Sequence, residues 1–162
     1  MRVSPFTEKK KVRSGHLLAS VNKASRAAAA LGRVMPRIGG AAETKRRLLY
    51  ASVVSIVMYA SNIWGKVLEL TTYRDKAFSL QRTMAIRMCR AYRTTSCQAV
   101  LVIARTVPLD LLVKEREAAR NNMTEGERKA ARVETICLWQ ERWGTSEADV
   151  WLHKLMPDIS KW

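Results

Sequence analysis

Apolar residues recur along this chain at helical spacing in nearly every segment. Leu17, Leu18, Val21, Ala24, Ala28 and Leu31 fall three and four apart, the pattern of a helix with one buried stripe. Ser14 is placed to cap that helix, and Pro36 with Gly39-Gly40 ends it. Residues 1–13 carry Pro5 and the run Lys9-Lys10-Lys11-x-Arg13; they read as a frayed, loop-like or short extended basic segment. A second helix is expected from Ala41 to about Asn62. Between Leu48 and Ala60 only Ser52 and Ser55 interrupt its apolar run, so it reads as a helix buried on several sides. That run falls short of the roughly 20 residues that cross a bilayer, and no membrane partner is expected.

Gly65 breaks the chain, and Thr71 or Thr72 can cap a third helix reaching about Tyr92. Its stripe of Tyr73, Ala77, Leu80, Met84, Met88 and Ala91 occupies about an 80° arc. Arg82, Arg90 and Arg93 fall on the opposite side, which predicts a face of guanidinium groups. Thr94-Thr95-Ser96 is a break with capping hydroxyls before a short helix over residues 98–104. Pro108 suits the first turn of a fifth helix to about Asn122. A sixth, from Glu125 to Trp143, alternates in charge and reads as largely exposed. A short Trp-rich tail follows. No strand pattern appears except in the first dozen residues. The expectation is an all-α fold, a small helical bundle of about five to seven helices.

Scarce glycine (7) and proline (4) in 162 residues agree with helix. The charge changes the picture more. The chain carries 29 Lys and Arg against 14 Asp and Glu, a net +15. Residues 1–50 hold 12 basic against 2 acidic side chains, residues 51–100 hold 7 against 2, and residues 101–162 hold 10 against 10. All of the net charge therefore lies in the first hundred residues. Such segregation marks a surface that meets a polyanion, most often nucleic acid. A basic surface kept only for solubility would not need it.

The clusters that carry this charge are Lys45, Arg46 and Arg47, and the series Arg82, Arg87, Arg90 and Arg93 with Tyr92 among them. Arginine favours bidentate phosphate contacts, and Tyr92 can stack on a base or lie buried. Backbone contact without sequence readout is expected. Trp139, Trp143 and Trp151 form either aromatic core or a docking cluster for another domain. Candidate catalysis is absent from the sequence. The aspartates are scattered, no Gly-rich phosphate loop occurs, and His16 and His153 lack nearby partners. Cys89, Cys97 and Cys137 form no CxxC pair, which points to neither a zinc site nor a disulfide framework. No metal, cofactor or small-molecule substrate is expected, and a reducing intracellular setting, nucleus and cytoplasm, fits the cysteines.

Several segments read together resemble the region after the polymerase palm in non-LTR retrotransposon reverse transcriptases, most of all the R1 type. They are Lys23-Ala24, the run from Ala30 to Gly40, Arg46-Arg47-Leu48-Leu49, Ser55 to Ala60, and Trp64. Gln81-Arg82, Arg87 to Thr94 with Ser96, Trp139-Gln140-x-Arg142-Trp143, and Trp151 to Ile159 complete the series. The last of these is similar to the family's W-T-x-x-L-I-P-D-I run.

The resemblance implies a helical thumb, which closes on a primer–template duplex, followed by a linker. It implies as partners an RNA or RNA–DNA duplex and the palm and fingers of the same polymerase. Those parts, with their catalytic aspartates and the zinc knuckle beyond the linker, have no counterpart in this sequence. The expected organisation is a flexible basic segment at 1–13, a basic thumb-like domain at 14–105, and a charge-balanced linker or docking segment at 106–162. The expected function is non-catalytic binding of primer–template through backbone phosphates. The alternative is a helical interaction or scaffolding module whose basic face meets an acidic protein or membrane surface.

Overall fold

A computed structural model describes residues 5–34, 41–59, 61–120, 123–146 and 150–161, with only the backbone described for residues 5–11 and 34. The described residues contain eight α-helices and no strand: α1 (Pro5–Val34), α2 (Glu43–Met58), α3 (Ser61–Trp64), α4 (Thr71–Cys89), α5 (Cys97–Ile103), α6 (Leu109–Ala118), α7 (Glu125–Gly144) and α8 (Val150–Leu155). Short 3₁₀ turns cover Gly65–Glu69 and Ile159–Lys161. The all-α fold expected from the sequence is the fold observed. It has one helix more than the upper expectation, because the break after Met58 makes α3 a separate turn.

The first helix corrects the expected start at Ser14. It begins at Pro5 and takes in the Lys9–Lys11 run. Proline suits a first helical turn, where its missing N–H has no intrahelical partner to lose, and lysine is a good helix former. Its stripe of Leu17, Val21, Ala24 and Ala28 is buried as the spacing predicts. Pro36 and Gly39-Gly40 lie outside the described residues.

The second helix departs from the expected all-round burial. Arg46, Tyr50, Val53 and Val57 face inward at helical spacing, while Leu48 is 65% exposed. Its apolar composition overstates how many neighbours it has. Helices α1, α2 and α4 pack together over a core that includes Trp64, Met84, Leu101 and Leu109.

A buried polar knot fixes this packing. Gln81 on α4 is 1% exposed. Its Nε2 donates to Tyr50 Oη at 2.9 Å and to Val107 O at 2.8 Å, and its Oε1 accepts from Leu109 N–H at 3.0 Å. One side chain thus ties α2, α4 and the start of α6 together. Burial raises the Tyr50 pKa above the ordinary phenol value.

The last third is joined differently. Thr124 and Glu127 form a capping box that starts α7. Arg142 on α7 binds Asp110 on α6 through two N–H···O bonds of 3.0 and 2.7 Å. Arg132 reaches Glu115 at 3.0 Å. Trp139 and Trp143 are 3% and 0% exposed, which makes them, of the two alternatives, aromatic core rather than an exposed docking cluster. Trp143 donates from Nε1 to Met156 O at 2.9 Å and stacks on His153 with ring centroids 4.0 Å apart. They are apolar-face residues of an otherwise polar helix, so the tail closes over them. Trp151 alone of the three stands out, 79% exposed with the Lys154 ammonium 4.9 Å from its ring.

Candidate nucleic-acid interface

The arginines expected to form one phosphate-binding face divide into two groups. Three of them turn to backbone carbonyls. Arg46 is 1% exposed. Its Nε donates to Ala41 O and its Nη1 to Arg87 O, both at 2.7 Å. Burial lowers its pKa from the ordinary arginine value, with the Arg90 charge adding to the effect. Arg87 donates from Nη1 to Ala28 O at 2.8 Å, and its guanidinium lies on Gly32 where any Cβ would collide with it. Arg82 donates from Nε and Nη2 to Thr95 O at 3.0 and 2.7 Å, and from Nη2 also to Arg93 O.

These are corrections of the sequence-based assignment. Turns and helix ends leave backbone carbonyls without intrahelical donors, as at Ala41, Arg87, Arg93 and Thr95, while Ala28 lies inside α1. Long guanidinium side chains satisfy them at a distance, so Arg46, Arg82 and Arg87 serve as internal staples.

The second group points outward. Lys45, Arg47, Arg90, Tyr92 and Arg93 are exposed, and Tyr92 is 81% exposed, so it is no part of the core. Arg47 pairs with Glu43 at 3.0 Å, one helical turn away. The Arg82, Arg90 and Arg93 face predicted for α4 does not exist as drawn. That helix stops at Cys89, and Arg82 folds under the turn that carries Arg93.

A groove of about 540 Å³ opens where the start of α2 meets the ends of α4 and α5. Its charged lining is Arg46, Arg47, Arg90 and Arg105 against Glu43, an excess of three positive charges. Arg105 escaped the sequence reading because it belongs to the charge-balanced third. The available signal was its place at the end of a short helix, just before Val107-Pro108.

The two helix ends beside this groove share an uncommon feature. Arg90 and Arg105 have φ of 58° and 53°, the only non-glycine residues with positive φ among the described residues. Behind Arg90, Ala91 N–H reaches Ile86 O at 3.1 Å. Behind Arg105, Thr106 N–H reaches Leu101 O at 2.9 Å. Each is a Schellman-type ending, whose left-handed residue is usually glycine. A side chain there costs about 1–2 kcal/mol. A cation near a helix C-terminus returns about 0.3–1 kcal/mol. The cost exceeds the return.

A second, more apolar groove of about 430 Å³ lies between α7 and the tail, lined by Val107, Val133, Ile136, Trp139 and Ile159 under Arg105 and Arg132. Among the described residues no three His, Cys, Asp or Glu side chains gather as a metal set, and no single helix is long and apolar enough to cross a membrane. Burial raises the Cys89 and Cys97 thiol pKa values, which disfavours the thiolate.

No family model matches this chain, and no solved structure matches it. Among curated proteins it is similar to the Retrovirus-related Pol polyprotein from type-1 retrotransposable element R1 of Nasonia vitripennis, 27% identical over 122 residues. The alignment covers 64% of this chain and 36% of that polyprotein, so the chain spans about a third of the curated relative's length. The similarity agrees with the R1-type resemblance carried by the motifs and supports a retrotransposon-related origin for the chain.

Proposed function

We propose that this chain is the thumb and post-thumb linker region of an R1-type reverse transcriptase and grips a primer–template duplex through backbone phosphates. The observation that carries the reading is the groove between α2, α4 and α5, where four arginines face one glutamate. It lies where the basic first hundred residues meet the charge-balanced remainder. Exposed Lys45 and Arg93 extend the same sign beyond the groove. Positive charge in a concave, partly dehydrated setting acts more strongly on an anion than the same charge on an open surface. Guanidinium groups match phosphate oxygens bidentately and read no base. In this reading the chain supplies grip, and the metal-dependent chemistry belongs to a palm of the same polymerase.

The test is a fluorescence-anisotropy titration of the full chain with a labelled RNA–DNA hybrid duplex. Saturable binding that is indifferent to duplex sequence and weakened by R47Q with R93Q is expected. Failure to bind hybrid, RNA and DNA duplexes alike, with retained binding to anionic vesicles or polyglutamate, would overturn it in favour of a protein- or membrane-facing module.

A further inference from the structure

We infer that Arg90 and Arg105 form a paired clamp for the phosphodiester backbone of one nucleic-acid strand, each held in place by a left-handed helix end. The inference rests on the phosphate-binding reading above and adds to it a mechanism and a residue, Arg105, from outside the basic half.

Three observations converge on the pair. Both residues occupy the position where a helix ending favours glycine, with φ of 58° and 53°. Both are exposed, and both line the one groove between α2, α4 and α5. Helix capping does not by itself account for Arg90. A basic residue inside the last turn gains the same attraction to the terminal carbonyls without a left-handed backbone, and Arg87 in α4 already stands in that place. Helix α5 carries no such residue, so for Arg105 the separation from a cap rests on the glycine variant below.

The left-handed residue is the point where the chain turns away from the helix. A side chain placed there is directed by two hydrogen-bonded backbone turns rather than by its own rotamers alone. That fixes part of its geometry before a ligand arrives, which reduces the ordering cost of binding.

The surroundings favour an anion. Arg46 lies beneath the groove with 1% exposure, so its charge is poorly screened by water. Its Nε and Nη1 donate to the Ala41 and Arg87 carbonyls and the side chain is buried, so it contributes field rather than contact. Glu43, the single carboxylate in the lining, is held by Arg47 at 3.0 Å. A groove of about 540 Å³ admits the sugar–phosphate edge of one strand. The diameter of a duplex would remain outside it. A phosphodiester brings one negative charge per nucleotide and no proton to lose at neutral pH, which suits permanently charged arginine.

The experiment uses the full chain, a labelled RNA–DNA hybrid duplex and matched thermal melts, at about 0.15 M salt. R90G and R105G are each expected to weaken binding about tenfold, while melting at or above the wild-type temperature because glycine relieves the left-handed backbone. R90K and R105K keep the charge but lose the fork geometry, and are expected to recover only part of the loss. R128Q, which removes an exposed charge from α7, is the control and should stay within about twofold. Glycine variants that bind as tightly as this control would overturn the clamp while leaving the wider reading intact. Glycine variants that melt below wild type would overturn it too, by making both arginines structural caps. A wild-type chain that binds no hybrid at all would overturn the underlying reading instead.

Discussion

Apart from the exposed Arg47–Glu43 pair, the arginines held within the two parts of this molecule donate to different partners. In the first hundred residues Arg46, Arg82 and Arg87 donate to backbone carbonyls. In the last third Arg132 and Arg142 donate to carboxylates, Glu115 and Asp110. A carbonyl satisfies the donor but leaves the charge, whereas a carboxylate removes both needs. The same residue type therefore builds a basic half and a neutral half. Arg116, which reaches Met58 O at 3.3 Å, carries the first pattern across the junction.

The sharpest way to break this comparison is to remove a staple. R46M should cost about 3 kcal/mol, because it leaves the part-buried carbonyls of Ala41 and Arg87 without donors. Urea denaturation monitored by circular dichroism measures it. R47M on the exposed side of the same helix should fall within about 0.5 kcal/mol of wild type. Equal effects of the two substitutions would show that the internal and external arginines are not distinct.

Next in size is the neutral knot within the basic half. Q81L should destabilise by about 2 kcal/mol, since the Leu109 N–H and the Val107 carbonyl both lose their partner. Y50F removes one bond from the same knot and should cost about 1 kcal/mol. Similar values for the two would argue that Gln81 is not the centre.

In the neutral half, D110A should cost about 1–2 kcal/mol by chemical denaturation, because a half-buried bidentate pair is lost. E115A, whose partner Arg132 is more exposed, should cost less than D110A.

The smallest effect is a pH response at the start of α7. The Glu127 carboxylate accepts from the Thr124 N–H and hydroxyl, which holds its pKa below the ordinary glutamate value. A carboxyl depressed on folding contributes fully above its unfolded pKa and loses that contribution as pH falls through the depressed folded value. The protection factor of the Thr124 amide, exchange measured relative to its intrinsic rate at each pH, should therefore fall at acid pH in the wild-type chain. In E127Q it should show no such step.

Much of the fold was legible because helical periodicity is local. The stripe of α1, the Ser96 cap of α5 and the span of α7 are observed close to where the spacing puts them. The early start of α1 was hidden by a Lys-rich run that reads equally as a solvated helix or a frayed arm. The site was legible in sign but not in assignment. Charge counting locates a basic region, yet only three-dimensional packing decides which guanidinium meets a carbonyl. Arg46 and Arg47 are neighbours in sequence, and one is buried while the other borders the groove. The buried bonding role of Gln81 went unread because one polar residue beside an apolar stripe gives no periodic signal. Arg105 went unread because its own third of the chain sums to zero.

The central claim is that the carbonyl-bound half keeps unneutralised charge for phosphate. The direct measurement is the dependence of log Kobs on log salt for the full chain with a hybrid duplex. A steep negative slope is predicted, its magnitude reduced by about one for each of Arg90 and Arg93 replaced by glutamine and unchanged in R128Q. A flat slope, or one reduced equally by all three substitutions, would contradict the account.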